Sequence, residues 1–141
     1  EEMNLKQLGI TAAPAKPIDD DTLNEILDEH ERWVDSGGHL GTRADFTAYN
    51  LCGRSLAKRN LSAVSFANSN LKAVDFRGTV LAACDFSDAN LRAADLSHSD
   101  LRGSNLESAL LDGARFERAD IGALPNTGMR TRLPTGFKLC A

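Results

Sequence analysis

A leucine, phenylalanine or isoleucine stands at every fifth position without a gap: Phe46, Leu51, Leu56, Leu61, Phe66, Leu71, Phe76, Leu81, Phe86, Leu91, Leu96, Leu101, Leu106, Leu111, Phe116 and Ile121. Two positions before most of them sits a small residue, such as Ala44, Ser69, Thr79, Cys84, Ala89, Ala94, Ser99, Ser104 or Ala109, with Val64 and Val74 slightly larger. One position before, the residue is usually Asp or Asn. Neither regular element tolerates this period. On an α-helix a step of five turns about 500°, so the leucines would walk around the axis, and on a strand an odd step flips faces. The chain must bend once per unit. If every bend has the same sense, each central Leu or Phe points inward and the chain winds into a coil. Successive turns of that coil then stack at roughly 4.8 Å, with backbone hydrogen bonds along the axis. The small residue suits a crowded interior site. Asp or Asn is expected at the bend, since both tolerate turn geometry and bond to nearby backbone.

The phenylalanines set the number of sides. Phe46, Phe66 and Phe86 are 20 apart, Phe76 and Phe116 are 40 apart, and all five fall on alternate units. A three-sided coil would mix the two sets and a two-sided one leaves too little room for these side chains, so four sides are preferred. Sixteen uninterrupted A-[D/N]-[L/F]-x-x units between Ala44 and Ala123 make the sequence resemble the pentapeptide repeat family. The resemblance implies an all-β fold, a right-handed quadrilateral β-helix of about four coils, here with an N-terminal α-helical cap. Its interior columns would be Phe46-Phe66-Phe86-Leu106, Leu51-Leu71-Leu91-Leu111, Leu56-Phe76-Leu96-Phe116 and Leu61-Leu81-Leu101-Ile121.

Stacked coils expose unpaired backbone at each end unless something covers it. Leu23, Ile26, Leu27, His30, Trp33 and Val34 follow the spacing of an amphipathic helix, with Asp20 or Asp21 as N-cap and Gly37-Gly38 as terminator. Trp33 is expected to lie flat on the first coil, and His30 to be a packing residue. The division that follows is a flexible tail or linker over 1–18, a capping helix over 19–38, the β-helix over 39–123 and an irregular C-terminal cap over 124–141. In the last segment Leu133, Phe137 and Leu139 would cover the final coil. Leu124-Pro125-Asn126-Thr127-Gly128 spells a cell-wall sorting signal, but no hydrophobic segment follows in this sequence, so it reads as turn chemistry.

The net charge of −4 is unevenly placed. Residues 1–40 carry ten acids and three bases, residues 41–123 ten of each, and the last 18 residues three bases. Neither a nucleic-acid-binding basic patch nor a strongly acidic body results. Three widely spaced cysteines, Cys52, Cys84 and Cys140, match no zinc or redox pattern and point to free thiols in a reducing cytoplasm. There is no phosphate loop, metalloprotease helix or nucleophile elbow, so no catalytic residue, cofactor or metal is expected.

What remains is surface. Tyr49, Arg54 and Arg59 stand where later coils carry Ser, Ala or Thr. They are expected to pack or pair under the helix with acids such as Asp28, Glu31 or Asp35, the other reading being a partner-binding cluster. Lys72 and Arg92 align on one face ahead of Asp112, and Val80 and Leu110 interrupt the Asp/Asn rows with apolar side chains, so these four are further candidate contact points. The expected function is a non-enzymatic protein-interaction or scaffold module with an unidentified protein partner, part of a larger bacterial protein, monomeric or weakly dimeric, and contacting neither nucleic acid nor membrane. The alternative comes from the resemblance. Its quinolone-resistance branch mimics duplex DNA and engages DNA gyrase, using longer columns and strongly negative faces that this neutral repeat region lacks.

Overall fold

The structure, a computed structural model, describes residues 15–137. Isolated parallel bridges join residues at a fixed separation of 20, from Asp45–Ser65 through Asn70–Asn90 to Asp100–Asp120, so one coil is four five-residue units. Four coils are centred on Phe46–Leu61, Phe66–Leu81, Phe86–Leu101 and Leu106–Ile121. Bonding between coils is regular: the N–H of Phe46 donates to Ser65 C=O (2.8 Å), that of Ala48 to Ala67 C=O (2.9 Å), and that of Asn70 back to Tyr49 C=O (2.9 Å). No run of bridges lengthens into a continuous strand, because every unit bends before a second bridge can form. Among the described residues the fold is thus a β-helix of single-residue bridges plus one helix rather than a conventional all-β protein.

The bend itself lies elsewhere than expected. In nearly every unit the central carbonyl accepts the N–H three residues on, as in Tyr49 to Phe46 (3.1 Å) and Arg54 to Leu51 (3.0 Å). The residue two after the centre takes a left-handed conformation, from Ala48 (φ 63) and Gly53 (φ 72) to Arg118 (φ 57). Positive φ at the third position marks a type II turn. The Asp or Asn before the centre sits instead at the bridge, and its carbonyl or carboxylate oxygen accepts the N–H two residues later. Asp45 takes Thr47 (2.9 Å), Asn70 takes Lys72 (3.1 Å) and Asp95 takes Ser97 (3.0 Å). These residues therefore brace the approach to the turn without occupying it.

Inside, the central residues of the first three coils are fully buried, together with the small residues two positions earlier. The aromatic column stacks: Phe66 lies 5.7 Å from Phe46 and 5.1 Å from Phe86, with interplanar angles of 17° and 4°. Two interior side chains close onto backbone carbonyls of the preceding coil, Thr79 Oγ1 onto Leu56 (3.0 Å) and Cys84 Sγ onto Leu61 (2.9 Å). In the fourth coil Leu111, Phe116 and Ile121 are only half-buried, so the two ends of the column differ.

At the first end, helix α1 (Asp20–Asp35) lies over coil 1. Its N-cap is Asp19, whose carboxylate accepts the Thr22 N–H at 2.7 Å, so Asp20 and Asp21 fall one place inside, in the first turn. Leu23, Leu27 and His30 are buried. The Trp33 ring stacks on His30 with centroids 5.5 Å apart, and its edge reaches Gly38, so it is the helix's own neighbours that hold it. Residues 15–18 are not a loose tail: Lys16 pairs with Tyr49 as a parallel bridge and Ile18 packs against the core. Residues 1–14 lie outside the described residues.

At the other end the repeat resumes after a detour. Arg132 bridges Asn105, a separation of 27 in place of 20, and Leu106 N–H donates to Arg132 C=O at 2.7 Å. Thr131-Arg132-Leu133 is thus one further small-polar-apolar unit, and only the loop before it is irregular. That loop is a closed turn: Leu124 N–H donates to Met129 C=O (2.9 Å) and Thr127 Oγ1 donates to Leu124 C=O (3.0 Å). Phe137 meets Phe116 edge to face at 5.4 Å. Leu139 and Cys140 lie outside the described residues.

Candidate functional site

Because coils repeat every 20 residues, outward side chains fall into rows. The bridge-forming positions give one row per face: Asp45-Ser65-Asp85-Asn105 on face 1, Asn50-Asn70-Asn90-Leu110 on face 2, Ser55-Asp75-Asp95-Arg115 on face 3 and Asn60-Val80-Asp100-Asp120 on face 4. Three faces therefore carry carboxylates in their rows and one carries only amides capped by a leucine.

The carboxylate rows on faces 3 and 4 are neutralised in place. Arg77 forms a two-pronged pair with Asp75 (2.9 and 2.8 Å) and reaches Asp95 at 4.0 Å. Arg102 does the same with Asp100 (2.9 and 2.8 Å) and reaches Asp120 at 3.7 Å. Donation from Arg77 holds the Asp75 carboxyl below its ordinary value, and Arg102 does so for Asp100. Burial pushes Asp95 the other way, but the hydrogen bonds from Ser97 outweigh it and its carboxyl is lowered too.

Six of the seven candidate contact residues fall into two groups. Tyr49, Arg54 and Arg59 are taken up by the N-terminal cap. Arg54 donates to Ile18 C=O and lies 2.9 Å from the Asp20 carboxylate, and Arg59 reaches Glu31 at 2.6 Å and Asp28 at 3.2 Å. Asp35 takes no part among the described pairs. Tyr49 packs edge-on against Phe46 at 6.3 Å, with the Lys16 ammonium over its ring at 5.6 Å. Lys72, Arg92 and Leu110 share face 2, where Arg92 lies 3.5 Å from Asp112 and Leu110 is 44% exposed. Val80 is half-buried on face 4 and joins neither group.

Among the described residues no group of three or more His, Cys, Asp or Glu is placed to hold a metal ion. Among the described residues, open clefts lie at both ends of the column. One lies between α1 and coil 1, lined by Glu25, Ile26, Glu29 and Thr42 to Asp45; another lies beside Leu110 and Leu111 and is closed by Pro134 to Phe137. The amide ladder Asn50-Asn70-Asn90 was legible in principle, as three asparagines 20 apart, but is hidden when Asp and Asn are treated as one class.

A profile of the pentapeptide repeat region matches residues 42–116. The chain is a pentapeptide repeat protein. Solved structures similar to this pentapeptide repeat protein include one from the thylakoid lumen of Arabidopsis thaliana, 27% identical over 66% of this chain and 60% of that one, with a TM-score of 0.51. Another is HetL from the cyanobacterium Nostoc, involved in heterocyst differentiation regulation, 23% identical over 65% of this chain and 44% of that one (TM-score 0.55). A third is QnrB1, a plasmid-mediated fluoroquinolone resistance protein, 16% identical over 63% of this chain and 46% of that one (TM-score 0.37). The pentapeptide repeat protein described here spans less than two thirds of the length of each. No curated protein matches its sequence.

Proposed function

We propose that this chain is a non-enzymatic protein-interaction or scaffold module of the bacterial cytoplasm, built on the right-handed quadrilateral β-helix of its family. The observation that carries this reading is the fixed 20-residue bridge step, which sets outward side chains in straight rows about 4.8 Å apart on a backbone locked by hydrogen bonds. Rigid presentation of a side-chain lattice is what recognition of a macromolecular surface requires. The titration pattern agrees. Asp19, Asp45, Asp75, Asp95 and Asp100 are all shifted toward the ionised state, so none of these five has the raised carboxyl of a general acid. Cys84, pushed up to about 12 by burial, is an inert packing thiol.

DNA mimicry is the competing reading, and the arginine pairs weigh against it. A phosphate-like row needs unpaired negative charge, and Arg77 and Arg102 each cancel theirs at 2.8–2.9 Å. The test uses photo-crosslinking side chains placed one per face at 87, 72, 57 and 82 in the source cell, alongside a gyrase supercoiling assay. Defined protein adducts with unaffected gyrase support the module. Inhibition of supercoiling at micromolar protein would overturn it in favour of mimicry.

A further inference from the structure

We infer that face 2 is the docking face, and that its partner is an acidic helix laid along the column axis. The inference rests on the interaction-module reading and adds to it a face and a chemistry. Asn50, Asn70 and Asn90 accept the N–H groups of Cys52, Lys72 and Arg92 through their side-chain oxygens, each at 3.1 Å. That bond fixes the orientation of each amide, so its NH2 group faces away from the backbone as a donor. Beside the ladder stand Lys72 and Arg92, one coil apart, and Lys16 lies at its foot through the Lys16–Tyr49 bridge. The face carries one carboxylate, Asp112, which lies 3.5 Å from Arg92 in an exposed ion pair that an incoming carboxylate exchanges for its own. Asp88 belongs to face 1, across the corner.

The relief of the face matters as much as its charge. Its turn positions are Gly53, Ala73, Ala93 and Gly113, all left-handed and none with a side chain larger than a methyl. Face 3 presents Lys58, His98 and Arg118 at the same positions and face 1 presents Asn68, Asp88 and Ser108, whereas face 4 is as small, with Ala63, Ala83 and Gly103, but carries Asp100 and Asp120 in its row. Face 2 is therefore a smooth floor with a raised line of donors, and Leu110 supplies an exposed apolar contact where the ladder ends.

The rung spacing selects the secondary structure of the occupant. Rungs recur at about 4.8 Å, whereas same-side residues of an extended strand recur at about 6.8 Å. Carboxylates at i and i+3 or i+4 of a helix rise by about 4.5 or 6.0 Å, which brackets the rung spacing closely enough for Lys72 and Arg92 to meet successive turns. The aromatic beside these three cations, Tyr49, already has its ring under the Lys16 ammonium, so it offers no free stacking platform. The three cations suit a helical carboxylate stripe better than a nucleic-acid backbone, which draws on many more phosphate contacts.

Fluorescence anisotropy with the intact chain tests this, using a labelled helical peptide carrying Glu at i and i+4 along one face, its Lys counterpart, and a duplex oligonucleotide. The acidic peptide is expected to bind, more weakly as salt rises. Lys72→Glu/Arg92→Glu and Asn70→Asp/Asn90→Asp are each expected to weaken it by about tenfold or more, and Lys58→Glu on face 3 by less than about twofold. All of these side chains point outward, and a thermal melt of each variant checks that it is folded. Absent binding of the acidic peptide, equal sensitivity to Lys58→Glu, or tighter binding of the duplex overturns the inference. Adducts from the photo-crosslinkers at 87, 57 or 82 but not 72 would also overturn it while leaving the module reading intact; no adduct from any face would remove both.

Discussion

His30 accepts the backbone N–H of Ala44 at Nδ1, 2.9 Å away, while its Nε2 lies 2.9 Å from Ser62 C=O. One coil higher the equivalent groups are satisfied by the repeat itself: Val64 N–H by Leu61 C=O (3.3 Å) and Ala82 C=O by Ala63 N–H (2.9 Å). Coil 1 has no unit before it, so the imidazole stands in for one donor and one acceptor of a missing coil. Only the neutral ring with its proton on Nε2 can do both, since protonation would turn Nδ1 into a donor facing another donor.

That arrangement makes the cap acid-sensitive. Burial holds His30 below its ordinary value of 6.5 and Arg43 lowers it further, against the opposing pull of Ser62 C=O and Glu31. Above that ordinary value the ring is neutral in both states and its contribution is complete. Below it the unfolded chain takes up the proton first, so stability falls with pH until the folded value is passed. The lowered carboxyls of Asp75 and Asp100 act in the same direction at lower pH, beneath their ordinary 3.8. Urea midpoints are expected to fall between pH 7.5 and 5. His30→Gln should cost about 1–3 kcal/mol at neutral pH by stranding one of the two backbone groups, and should flatten that slope. An equal slope in both proteins would refute the role assigned to the ring.

The aromatic column makes a second, graded prediction. Phe66 is sandwiched between Phe46 and Phe86 and meets Phe76 edge-on at 5.6 Å. Phe116 is half-buried near the open end, with Phe137 as its aromatic neighbour. Phe66→Ala should cost about 3–5 kcal/mol and Phe116→Ala distinctly less, because a cavity in the middle of a stack cannot collapse whereas one at the rim can. Chemical denaturation of both variants checks the order, and equal losses would mean that the column is closed at both ends.

Which parts of this were legible follows from how each residue is constrained. The interior columns were readable because a centre displaced by one position would point a Leu such as Leu71 outward, so the period alone decides them. Arg54 and Arg59 were readable as cap-pairing residues because a charged side chain cannot enter the narrow interior; their partners were legible as a class, Asp28 and Glu31 being engaged and Asp35 not. The N-cap at Asp19 was missed because three consecutive aspartates offer equal chemistry and only the Ile18 and Lys16 contacts set the register. The return of Thr131-Arg132-Leu133 to the ladder was hidden by its loop, which breaks the period that made everything else visible.

Left-handed turn residues that are not glycine carry removable strain. Ala73 sits at φ 59, exposed, with its N–H already bonded to Arg92 C=O at 2.9 Å. Left-handed backbone costs an L-residue about 1–2 kcal/mol and glycine's extra unfolded freedom about 0.5–1, so Ala73→Gly should be net stabilising by roughly 0.5–1 kcal/mol. Gly41 is the converse. A Cβ there would lie 2.2 Å from Glu29 C=O and 2.7 Å from Trp33 N, both backbone atoms of α1, at φ +72. Gly41→Ala should detach the helix from coil 1 at a cost of about 2–4 kcal/mol. A melt in which Ala73→Gly loses stability, or Gly41→Ala keeps it, would contradict the turn geometry.

Gly103 couples the column to its C-terminal loop. A Cβ at this position would lie 2.7 Å from Leu124 Cδ1 and 3.3 Å from Met129 Cβ, at φ +72, and its N–H is bonded at 3.0 Å to Thr131 Oγ1. That hydroxyl lies 2.9 Å from both Leu101 C=O and Gly122 C=O, so one threonine joins coil 3, the end of coil 4 and the returning strand. Gly103→Ala therefore meets two costs, backbone strain of about 1–2 kcal/mol that no neighbour can relieve and a clash that Leu124 can relieve by leaving. Leu124→Ala removes the clash alone. The double variant should accordingly be less destabilised than the sum of the single variants, with a coupling of about 0.5–2 kcal/mol, whereas Ala73→Gly combined with Leu124→Ala should be additive because the two sites share no partner. Strict additivity of Gly103→Ala with Leu124→Ala would mean that the loop does not rest on this face in solution.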